Sequence, residues 1–258
     1  MKLSVITINL DNCAGLRRTM QSVFAQSLSG YEYIIIDGGS VDGSKEYINA
    51  FGQRLAYWVS EPDMGVYNAM NKGIARATGE YVLFLNSGDC FCSNDSLERL
   101  MSNAKEDIIY GNIMVEEATK SWLKTYPAHV DFEYFLHDSL PHPASLIRRS
   151  LFNNISSYNE LNKIVSDWEF FMSAICLHGA TYNHVDAAIA CFNYDGMSSV
   201  NENASLIKNE KEFILNKYYN ALLPKNRSQV PSGKNANRKE SKPGSLPARL
   251  LNLLRLKN

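Results

Sequence analysis

The chain has 258 residues, is 45% hydrophobic and carries a formal net charge of −1. A chain of this length and apolar content is able to bury a full core, as one large domain or two small ones. The near-zero net charge conceals a basic C-terminal end. Residues 224–258 contain nine Lys or Arg and one Glu, a net charge of +8, which leaves a net charge of −9 on residues 1–223. Nucleic-acid binding rests only on that end, and the acidic body disfavours it.

The composition also bears on membranes and redox state. No apolar run approaches the ~20 residues of a membrane-spanning helix, and the apolar start is too short for a signal peptide. The five cysteines lack Cys-x-x-Cys spacing, which predicts reduced packing thiols. These features favour a cytoplasmic protein that meets a membrane only from the side, at the inner face of the plasma membrane.

The first part of the chain alternates short apolar runs with amphipathic segments. The predicted strands are Leu3–Ile8, Tyr31–Ile36, Leu55–Ser60 and Tyr81–Leu85, and the predicted helices are Leu16–Ser27, Ser44–Phe51 and Val66–Ala77. The fourth strand is a continuous apolar run, which is typical of a strand buried on both faces. The alternation predicts parallel βαβ units, and so an α/β fold with a Rossmann-like, mostly parallel central sheet flanked by helices.

After Asp89 the pattern changes. We predict a helix at Asp95–Asn103, strands at Ile108–Val115 and Ser121–Tyr126, a turn at Asp131–His137, a short apolar segment at Ala144–Ile147, a helix from Ser166 to about His178, strands at Ala180–Val185 and Ala187–Tyr194, and a helix at Ala204–Ala221. Residues 1–115 and 116–223 are therefore predicted to be two halves of one domain.

The basic end has two parts. Residues 224–245 are poor in apolar side chains, which predicts a disordered linker because the segment cannot offset the entropy of folding. In residues 246–258, leucines alternate with Arg249, Arg255 and Lys257. This short basic amphipathic segment suits an anionic membrane surface, but it also suits a helix docked on its own domain or on a partner chain.

Carboxylates recur in the loops after the predicted strands. Asp37 and Asp42 follow the second strand, Asp63 the third and Asp89 the fourth. The carboxyl ends of parallel strands meet at one edge of the sheet, where open α/β sheets bind ligands. A carboxylate there is able to hold a divalent cation that bridges to nucleotide phosphates. The alternative for Asn86–Asp89 is a turn whose Asp caps the next helix.

Four motifs are more specific: Ser-Val-Ile-Thr-Ile-Asn at 4–9, Ile-Asp-Gly-Gly-Ser-Val-Asp-Gly-Ser at 36–44, Asn-Lys-Gly-Ile-Ala-Arg-Ala-Thr-Gly-Glu-Tyr at 71–81, and Phe-Leu-Asn-Ser-Gly-Asp at 84–89. In this order and spacing they resemble glycosyltransferase family 2, over roughly residues 3–200. The resemblance implies a GT-A fold and transfer of a sugar from a UDP- or GDP-linked donor to an acceptor hydroxyl. The loops look most like those of enzymes that build bacterial surface polysaccharides, including colanic-acid-type polymers, which implies a lipid-linked saccharide acceptor.

The resemblance places the nucleotide-sugar site on the loops of the first half. Asp37 matches the first acidic residue of the family's Asp-Asp-Gly-Ser loop, whereas Gly38 replaces a second Asp that touches the base in many members. Asp89 is the carboxylate kept from the family's Asp-x-Asp-Asp metal loop and is the predicted ligand of Mg²⁺ or Mn²⁺, with Asn86 and Gly88 in place of other carboxylates. The predicted donor-binding residues are Ile8, Asn9, Asp37, Gly39, Ser40, Asp63, Asn71, Lys72, Asn86 and Ser87.

The catalytic base is expected in the second half. An inverting transfer needs a carboxylate that takes the proton from the acceptor hydroxyl as its oxygen attacks the anomeric carbon opposite the diphosphate. Asp167 matches the family's Glu-Asp motif at the start of a helix beneath the acceptor site and is the predicted base, with Glu169 in reserve. Ser166 and Glu169 also have the spacing of a capping box, so a structural role is the alternative.

Other predicted residues have a plainer interpretation. Lys72 and Arg76 are able to stabilise a diphosphate, but they also suit a solvated helix face. On the acceptor side, His142 is a site residue, an exposed loop residue or a packing residue. Trp168 either stacks on a sugar or packs in the core.

The competing function is a catalytically silent nucleotide-sugar-binding or scaffold protein, which the thinned metal loop favours. A dehydrogenase is disfavoured because residues 9–15 contain no Gly-x-Gly-x-x-Gly, and the chain has no P-loop motif. The resemblance to glycosyltransferase family 2 therefore implies a metal-dependent glycosyltransferase of the hexosyl type, acting in capsule, exopolysaccharide or O-antigen synthesis.

Overall fold

The computed structural model describes residues 2–102, 104–194 and 201–219. These residues belong to one unit, which spans Met1–Leu222. The predicted linker at 224–245 and the amphipathic segment at 246–258 lie outside the described residues. Within the described part of the chain, no helix is long and apolar enough to cross a membrane.

Strands and helices alternate in the first half, as the sequence predicts. The strands are β1 (Leu3–Asn9), β2 (Glu32–Asp37), β3 (Tyr57–Ser60) and β4 (Tyr81–Phe84), and the helices are α1 (Cys13–Phe24), α2 (Ser44–Ala50) and α3 (Val66–Arg76). A 3₁₀ turn at Gly52–Arg54 precedes β3. β1 pairs in parallel with β2 and β4, and β2 pairs in parallel with β3.

The second half is less regular. Its strands are β5 (Cys90–Phe91), β6 (Ile108–Glu117), β7 (Lys120–Lys124), β8 (Ser145–Arg148) and β9 (Tyr182–Asn193), and its helices are α4 (Ser96–Met101), α5 (Phe132–His137), α6 (Ser150–Asn154), α7 (Ser166–Met172) and α8 (Ala204–Tyr218). Shorter helical turns lie at His142–Ala144, at Asn201–Asn203 and, with π geometry, at Ser173–Leu177.

The nine described strands form one sheet in the order β3-β2-β1-β4-β8-β6-β9-β5, with β7 paired to β6. β4 meets β8 in antiparallel fashion, and β6 is antiparallel to β7 and β8 but parallel to β9. β5 is antiparallel to β9. The mixed α/β class is confirmed, and its parallel half aligns the carboxyl ends of β1 to β4 along one edge, which is where the predicted donor loops lie.

β4 lies at the centre of the core. Every residue from Tyr81 to Leu85 is at most 1% exposed, as expected for an apolar strand buried on both faces. α3 covers β1 so closely that a Cβ on Gly73 would lie 2.6 Å from Cγ2 of Ile6. This close packing fixes α3, and with it the side chains of its first turn, against the sheet.

β9 is one strand where the sequence predicts two. Its pairing with β6 shifts register on both sides of Asn112. The first shift leaves Asp186 and Ala187 unpaired in the ladder and the second leaves Ile189 unpaired, so β9 bulges without ending. Asn112 Nδ2 donates to Asp186 Oδ1 at 2.9 Å and satisfies the carboxylate of the bulge. A polar residue inside an apolar run therefore marks a bulge here, not a loop.

α5 is a helix where the sequence predicts a turn. Asp131 caps it by accepting a hydrogen bond from the Tyr134 N–H at 2.9 Å. The sequence predicts neither β5 nor α6, because elements of two and five residues are too short to show a periodic pattern.

Candidate active site

Asp37 joins the ends of three strands. Its side chain is buried, and Oδ1 accepts hydrogen bonds from Asn9 Nδ2 at 2.7 Å and Ser40 Oγ at 2.5 Å. Oδ2 accepts from Ser60 Oγ at 2.7 Å and from the Ser40 N–H at 3.0 Å. Burial opposes ionisation, but these hydrogen bonds together outweigh it and lower the pKa of Asp37. Asn9, Asp37 and Ser40, which are predicted to bind the nucleotide-sugar donor, therefore lie together. Both carboxylate oxygens of Asp37 accept hydrogen bonds from other groups of the protein.

Two further carboxylates connect the first two loops. Asp11 has a positive φ of 45°, and its Oδ1 accepts the Val41 N–H at 2.9 Å. Asp42 Oδ2 accepts the Cys13 N–H at 2.6 Å, and its Oδ1 accepts the Ser44 N–H at 3.0 Å. Asp42 therefore anchors the starts of α1 and α2, which makes the two loops one unit.

Gly38, which stands where the Asp-Asp pattern has a second Asp, lies against Asp63. A Cβ on Gly38 would lie 2.6 Å from Asp63 Oδ2. Asp63 is itself held, because its Oδ1 accepts the Gly65 N–H at 2.8 Å. Gly39, at a φ of +86°, approaches the backbone of Pro62, where a Cβ would lie 3.2 Å from the Pro62 nitrogen. The β3–α3 loop therefore packs on the two glycines and brings the predicted residues Gly39 and Asp63 together.

Asp89 lies in a turn that is hydrogen-bonded to the end of β9. The residue is buried, and its Oδ1 accepts the Asn193 N–H at 3.0 Å. The turn is formed, since the Asp89 N–H donates to Asn86 O at 3.0 Å. The predicted alternative of a helix cap does not hold, because the N-cap of α4 is Asp95. Burial raises the pKa of Asp89 to about 7, and a bound cation would favour the ionised form.

The oxygens of this turn fit a divalent cation in part. In the described part of the chain, Asn86 Oδ1 is buried without a hydrogen-bond partner, so the turn offers an amide oxygen besides the Asp89 carboxylate. No group of three or more His, Cys, Asp or Glu side chains among the described residues could hold a metal ion. A cation here would take its remaining ligands from a diphosphate and water, as Mg²⁺ commonly does. Ser87, also in the predicted set, donates its N–H to Ile8 O at 3.1 Å.

Asp167 is half-buried on the first turn of α7. The Tyr67 hydroxyl, on the first turn of α3, lies 2.8 Å from Asp167 Oδ1 and 2.5 Å from Ile164 O. Burial and the negative charge of Asp167 raise the pKa of Tyr67 well above its ordinary value, so the hydroxyl stays protonated and donates. Within the described residues, Asp167 Oδ2 has no hydrogen-bond partner.

α3 also holds the segment that precedes α7. Asn71 pairs with the backbone of Tyr158 in both directions, since Nδ2 donates to the carbonyl at 2.9 Å and Oδ1 accepts the N–H at 3.0 Å. The Glu160 carboxylate accepts from Asn68 Nδ2 at 2.9 Å and Asn71 Nδ2 at 2.8 Å. Asn71 is predicted to bind the nucleotide-sugar donor, but its side-chain amide is hydrogen-bonded to the second half of the chain.

Lys72 lies beside a cavity of about 190 Å³ between α3 and β3, lined by Ile36, Tyr57, Val59, Glu61, Lys72, Ala75 and Arg76. Lys72 Nζ lies 2.8 Å from Glu61 Oε1 and 3.2 Å from Pro62 O. The Arg76 guanidinium lies 4.5 Å from the ring centroid of Tyr57. Both cations therefore have protein partners on this helix face.

His142 is a buried residue near Asp167. Its ring is buried and stacks on Phe84 with centroids 5.0 Å apart, and Nε2 lies 2.8 Å from the Tyr158 hydroxyl. Burial lowers the pKa of His142, although the charge of Asp167 opposes this. His142 is thus a neutral packing residue near the predicted base, and the exposed-loop interpretation is wrong.

Trp168 belongs to the core. It is 2% exposed, its Nε1 donates to Phe135 O at 2.8 Å, and Lys211 Nζ on α8 lies 4.8 Å from the ring centroid. Burial lowers the pKa of Lys211, and the nearby charge of Asp167 opposes that shift. The core-packing interpretation of Trp168 therefore fits, and α8 brings a cation close to Asp167.

The capping box is not formed. Val165 is the N-cap of α7 and provides no side-chain hydrogen bond. Ser166 Oγ accepts the Asn159 N–H at 2.6 Å, and Glu169 Oε2 accepts from Asn162 Nδ2 at 2.7 Å. Burial raises the pKa of Glu169. Both side chains hold the preceding loop.

Tyr67, Lys211 and Asn193 are site residues that sequence reasoning missed. Tyr67 and Asn71 are four residues apart on a predicted helix, so they share a face, and this spacing could have shown that Tyr67 accompanies Asn71. Asn193 contributes a backbone N–H to Asp89, which no side-chain pattern reveals.

The model of the family described as glycosyl transferase family 2 matches residues 4–164 of the chain. The chain belongs to this family. A relative from Mycobacterium bovis, the PGL/p-HBAD biosynthesis glycosyltransferase, is 29% identical over 206 residues, which cover 76% of this chain and 78% of the relative. The predicted membership of glycosyltransferase family 2 is therefore confirmed.

Solved structures confirm the GT-A fold of this glycosyltransferase. S. aureus TarS 1–349 in complex with UDP has a TM-score of 0.60 at 18% identity, over 75% of this chain and 60% of that chain. The mannosyltransferase PcManGT from Pyrobaculum calidifontis, in complex with GDP-Man and Mn²⁺, has a TM-score of 0.57 at 14% identity, over 74% of this chain and 56% of that chain. The glycosyltransferase thus spans little more than half the length of these two structures.

Proposed function

We propose that the protein is an inverting glycosyltransferase that moves a hexose from a UDP- or GDP-linked donor to the hydroxyl of a saccharide acceptor. The observation that carries the proposal is the state of Asp167. This half-buried carboxylate is held through one oxygen, and its other oxygen has no partner within the described residues. Such a group is suited to take a proton from an acceptor hydroxyl.

In the proposed step, the acceptor oxygen forms a bond to the anomeric carbon while the bond from that carbon to the diphosphate oxygen breaks. The electron pair of the broken bond leaves with the diphosphate, and the hydroxyl proton passes to Asp167 Oδ2. Attack on the face opposite the diphosphate inverts the anomeric centre. His142 supports the surroundings of Asp167 by packing.

We place the donor on the loops that Asp37 joins, with its diphosphate toward Asn86–Asp89. The UDP of the TarS complex and the GDP-Man and Mn²⁺ of the PcManGT complex support this class of donor and a divalent ion. Asp89 and Asn86 would hold Mg²⁺ or Mn²⁺, which would offset the charge of the departing diphosphate. Asp37 contributes by fixing Asn9 and Ser40, because its own oxygens are engaged.

The acceptor is proposed to be a lipid-linked saccharide in the assembly of a bacterial surface polysaccharide or glycolipid. The Mycobacterium bovis relative is named for PGL/p-HBAD biosynthesis, which supports a role in bacterial glycoconjugate assembly. Residues 246–258 would hold the protein at the inner face of the plasma membrane through anionic lipids.

The test uses the full chain with Mn²⁺ or Mg²⁺, a panel of UDP- and GDP-sugars and lipid-linked saccharides. Released nucleoside diphosphate and transferred sugar are measured. Asp167→Asn is expected to bind donor normally and to turn over about 10²–10⁴-fold more slowly. Glu98→Gln, an exposed carboxylate on α4, is the matched control and should behave like the wild type.

The alternative is a silent nucleotide-sugar-binding or scaffold protein. It is favoured by one observation, the presence of Asn86 and Gly88 where the family's metal loop has carboxylates. In that case the wild type would bind a donor but release no nucleoside diphosphate with any metal or acceptor, and Asp167→Asn would be indistinguishable from it.

A further inference from the structure

We infer that Tyr67 is the positioning residue for Asp167, an inference that rests on the proposed function. The two residues are 100 positions apart in the chain, and their side chains meet at 2.8 Å between the Tyr67 hydroxyl and Asp167 Oδ1. Among the described residues, no other side chain is hydrogen-bonded to that carboxylate. Tyr67 therefore fixes one oxygen and leaves Oδ2 available to the acceptor hydroxyl.

Tyr67 is itself held firmly. The residue is 5% exposed, and its ring packs on that of Tyr158 with centroids 5.6 Å apart. On the next turn of α3, Asn71 clamps the backbone of Tyr158. At the start of the helix, the Met64 N–H donates to Asn68 Oδ1 at 3.2 Å. Tyr67 thus links the donor-side loop before α3 to the base on α7 through elements that have little freedom.

The Tyr67 hydroxyl has one proton and two acceptors, Asp167 Oδ1 and, at 2.5 Å, Ile164 O. While Asp167 is ionised, Oδ1 is the stronger acceptor because hydrogen bonds to charged groups are stronger. Once Oδ2 has taken the acceptor proton, Oδ1 is a neutral carbonyl oxygen, and the Tyr67 proton is able to turn to Ile164 O. This change needs only a rotation about the phenolic C–O bond of Tyr67. The hydroxyl therefore keeps a hydrogen-bond acceptor whether Asp167 is ionised or protonated.

Other titratable groups near Asp167 do not share this role. His142 and Tyr158 are buried and hydrogen-bonded to each other, and Lys211 lies over the ring of Trp168. Each senses the charge of Asp167 without a hydrogen bond to it. Tyr67 is therefore the group whose removal should change the orientation of the carboxylate.

A double-mutant cycle tests the contact without any substrate. Tyr67→Phe, Asp167→Ala and the double variant of the full chain are unfolded in urea. We expect the two changes to be coupled by about tenfold in the unfolding equilibrium constant, which is typical of a hydrogen bond to a charged group. Additive effects would overturn the inference.

The kinetic test separates positioning from structure. With the donor that the panel identifies, Tyr67→Phe should lower kcat about tenfold and leave the donor KM within about twofold, because the carboxylate is no longer held in the orientation that takes the acceptor proton. Tyr110→Phe, a change at another buried tyrosine, whose hydroxyl donates to Pro127 O at 2.6 Å, should lose stability without lowering kcat.

A Tyr67→Phe enzyme with wild-type kcat would overturn the positioning role even if the cycle shows coupling. A wild-type protein that turns over no donor would instead remove the proposed function. The cycle alone would then decide whether Tyr67 fixes Asp167.

Discussion

Asp37 and Asp167 are both predicted site carboxylates, but the protein holds them differently. Asp37 is buried and accepts hydrogen bonds through both oxygens from three side chains and one backbone N–H. Asp167 is half-buried and, within the described residues, its side chain accepts one hydrogen bond, from Tyr67. A carboxylate whose oxygens are all engaged builds a loop, whereas one with a free oxygen is available for proton transfer. The role of an acidic motif residue therefore depends on whether its carboxylate oxygens are already hydrogen-bonded within the protein.

The sharpest test of this comparison is the same truncation at both carboxylates. Asp37→Ala should lower the free energy of unfolding by about 3–5 kcal/mol, because it leaves the buried donors of Asn9, Ser40 and Ser60 without their acceptor. Asp167→Ala should cost about 1 kcal/mol, since one hydrogen bond to a half-exposed group is lost. Urea unfolding at neutral pH measures both values. Equal losses at the two positions would remove the distinction.

The clamp between α3 and the segment before α7 should have an intermediate effect. Asn71→Ala removes two hydrogen bonds to the Tyr158 backbone and one to Glu160, so we expect a loss of about 2 kcal/mol in unfolding free energy. Asn68→Ala keeps the backbone pair and serves as the matched control, with a loss of about 1 kcal/mol. If Asn71 instead contacts the donor and leaves the clamp, Asn71→Ala should weaken nucleotide binding with little change in stability.

Acid should weaken the donor-side loops through Asp37. Its pKa is lower in the folded protein than in the unfolded chain, so its ionised form contributes stability above the unfolded value of about 4, and this contribution is lost as the pH falls below it. The difference in unfolding free energy between the wild type and Asp37→Asn should therefore narrow from pH 6 to pH 3. Urea unfolding across that range checks the trend, and a constant difference would contradict it.

The sequence predicts the parallel half of the sheet well, because the site residues of this half lie in loops at one edge of the sheet. The strands end in the motif loops, so the meeting of Asn9, Asp37 and Ser40 follows from parallel order alone. The second half resists prediction because its elements are short and its contacts are distant in the chain, as with Tyr67 and Asp167. The β9 bulge and the backbone N–H of Asn193 at Asp89 depend on three-dimensional register, which residue type does not encode.

The smallest expected effect concerns Lys72, which is either a diphosphate ligand or part of a solvated face. Its ion pair with Glu61 is partly exposed, so Lys72→Met should change the free energy of unfolding by less than about 1 kcal/mol in either case. Donor binding separates the two roles, because a cation on the diphosphate contributes a charge-assisted hydrogen bond and its loss should weaken UDP or GDP binding about tenfold.

Glu61→Gln is the control, since it breaks the same ion pair and keeps the lysine. Calorimetric titration of both variants with UDP and GDP in the presence of Mn²⁺ measures this, and equal affinities would assign Lys72 to the solvated face, leaving the donor to the loops that Asp37 holds.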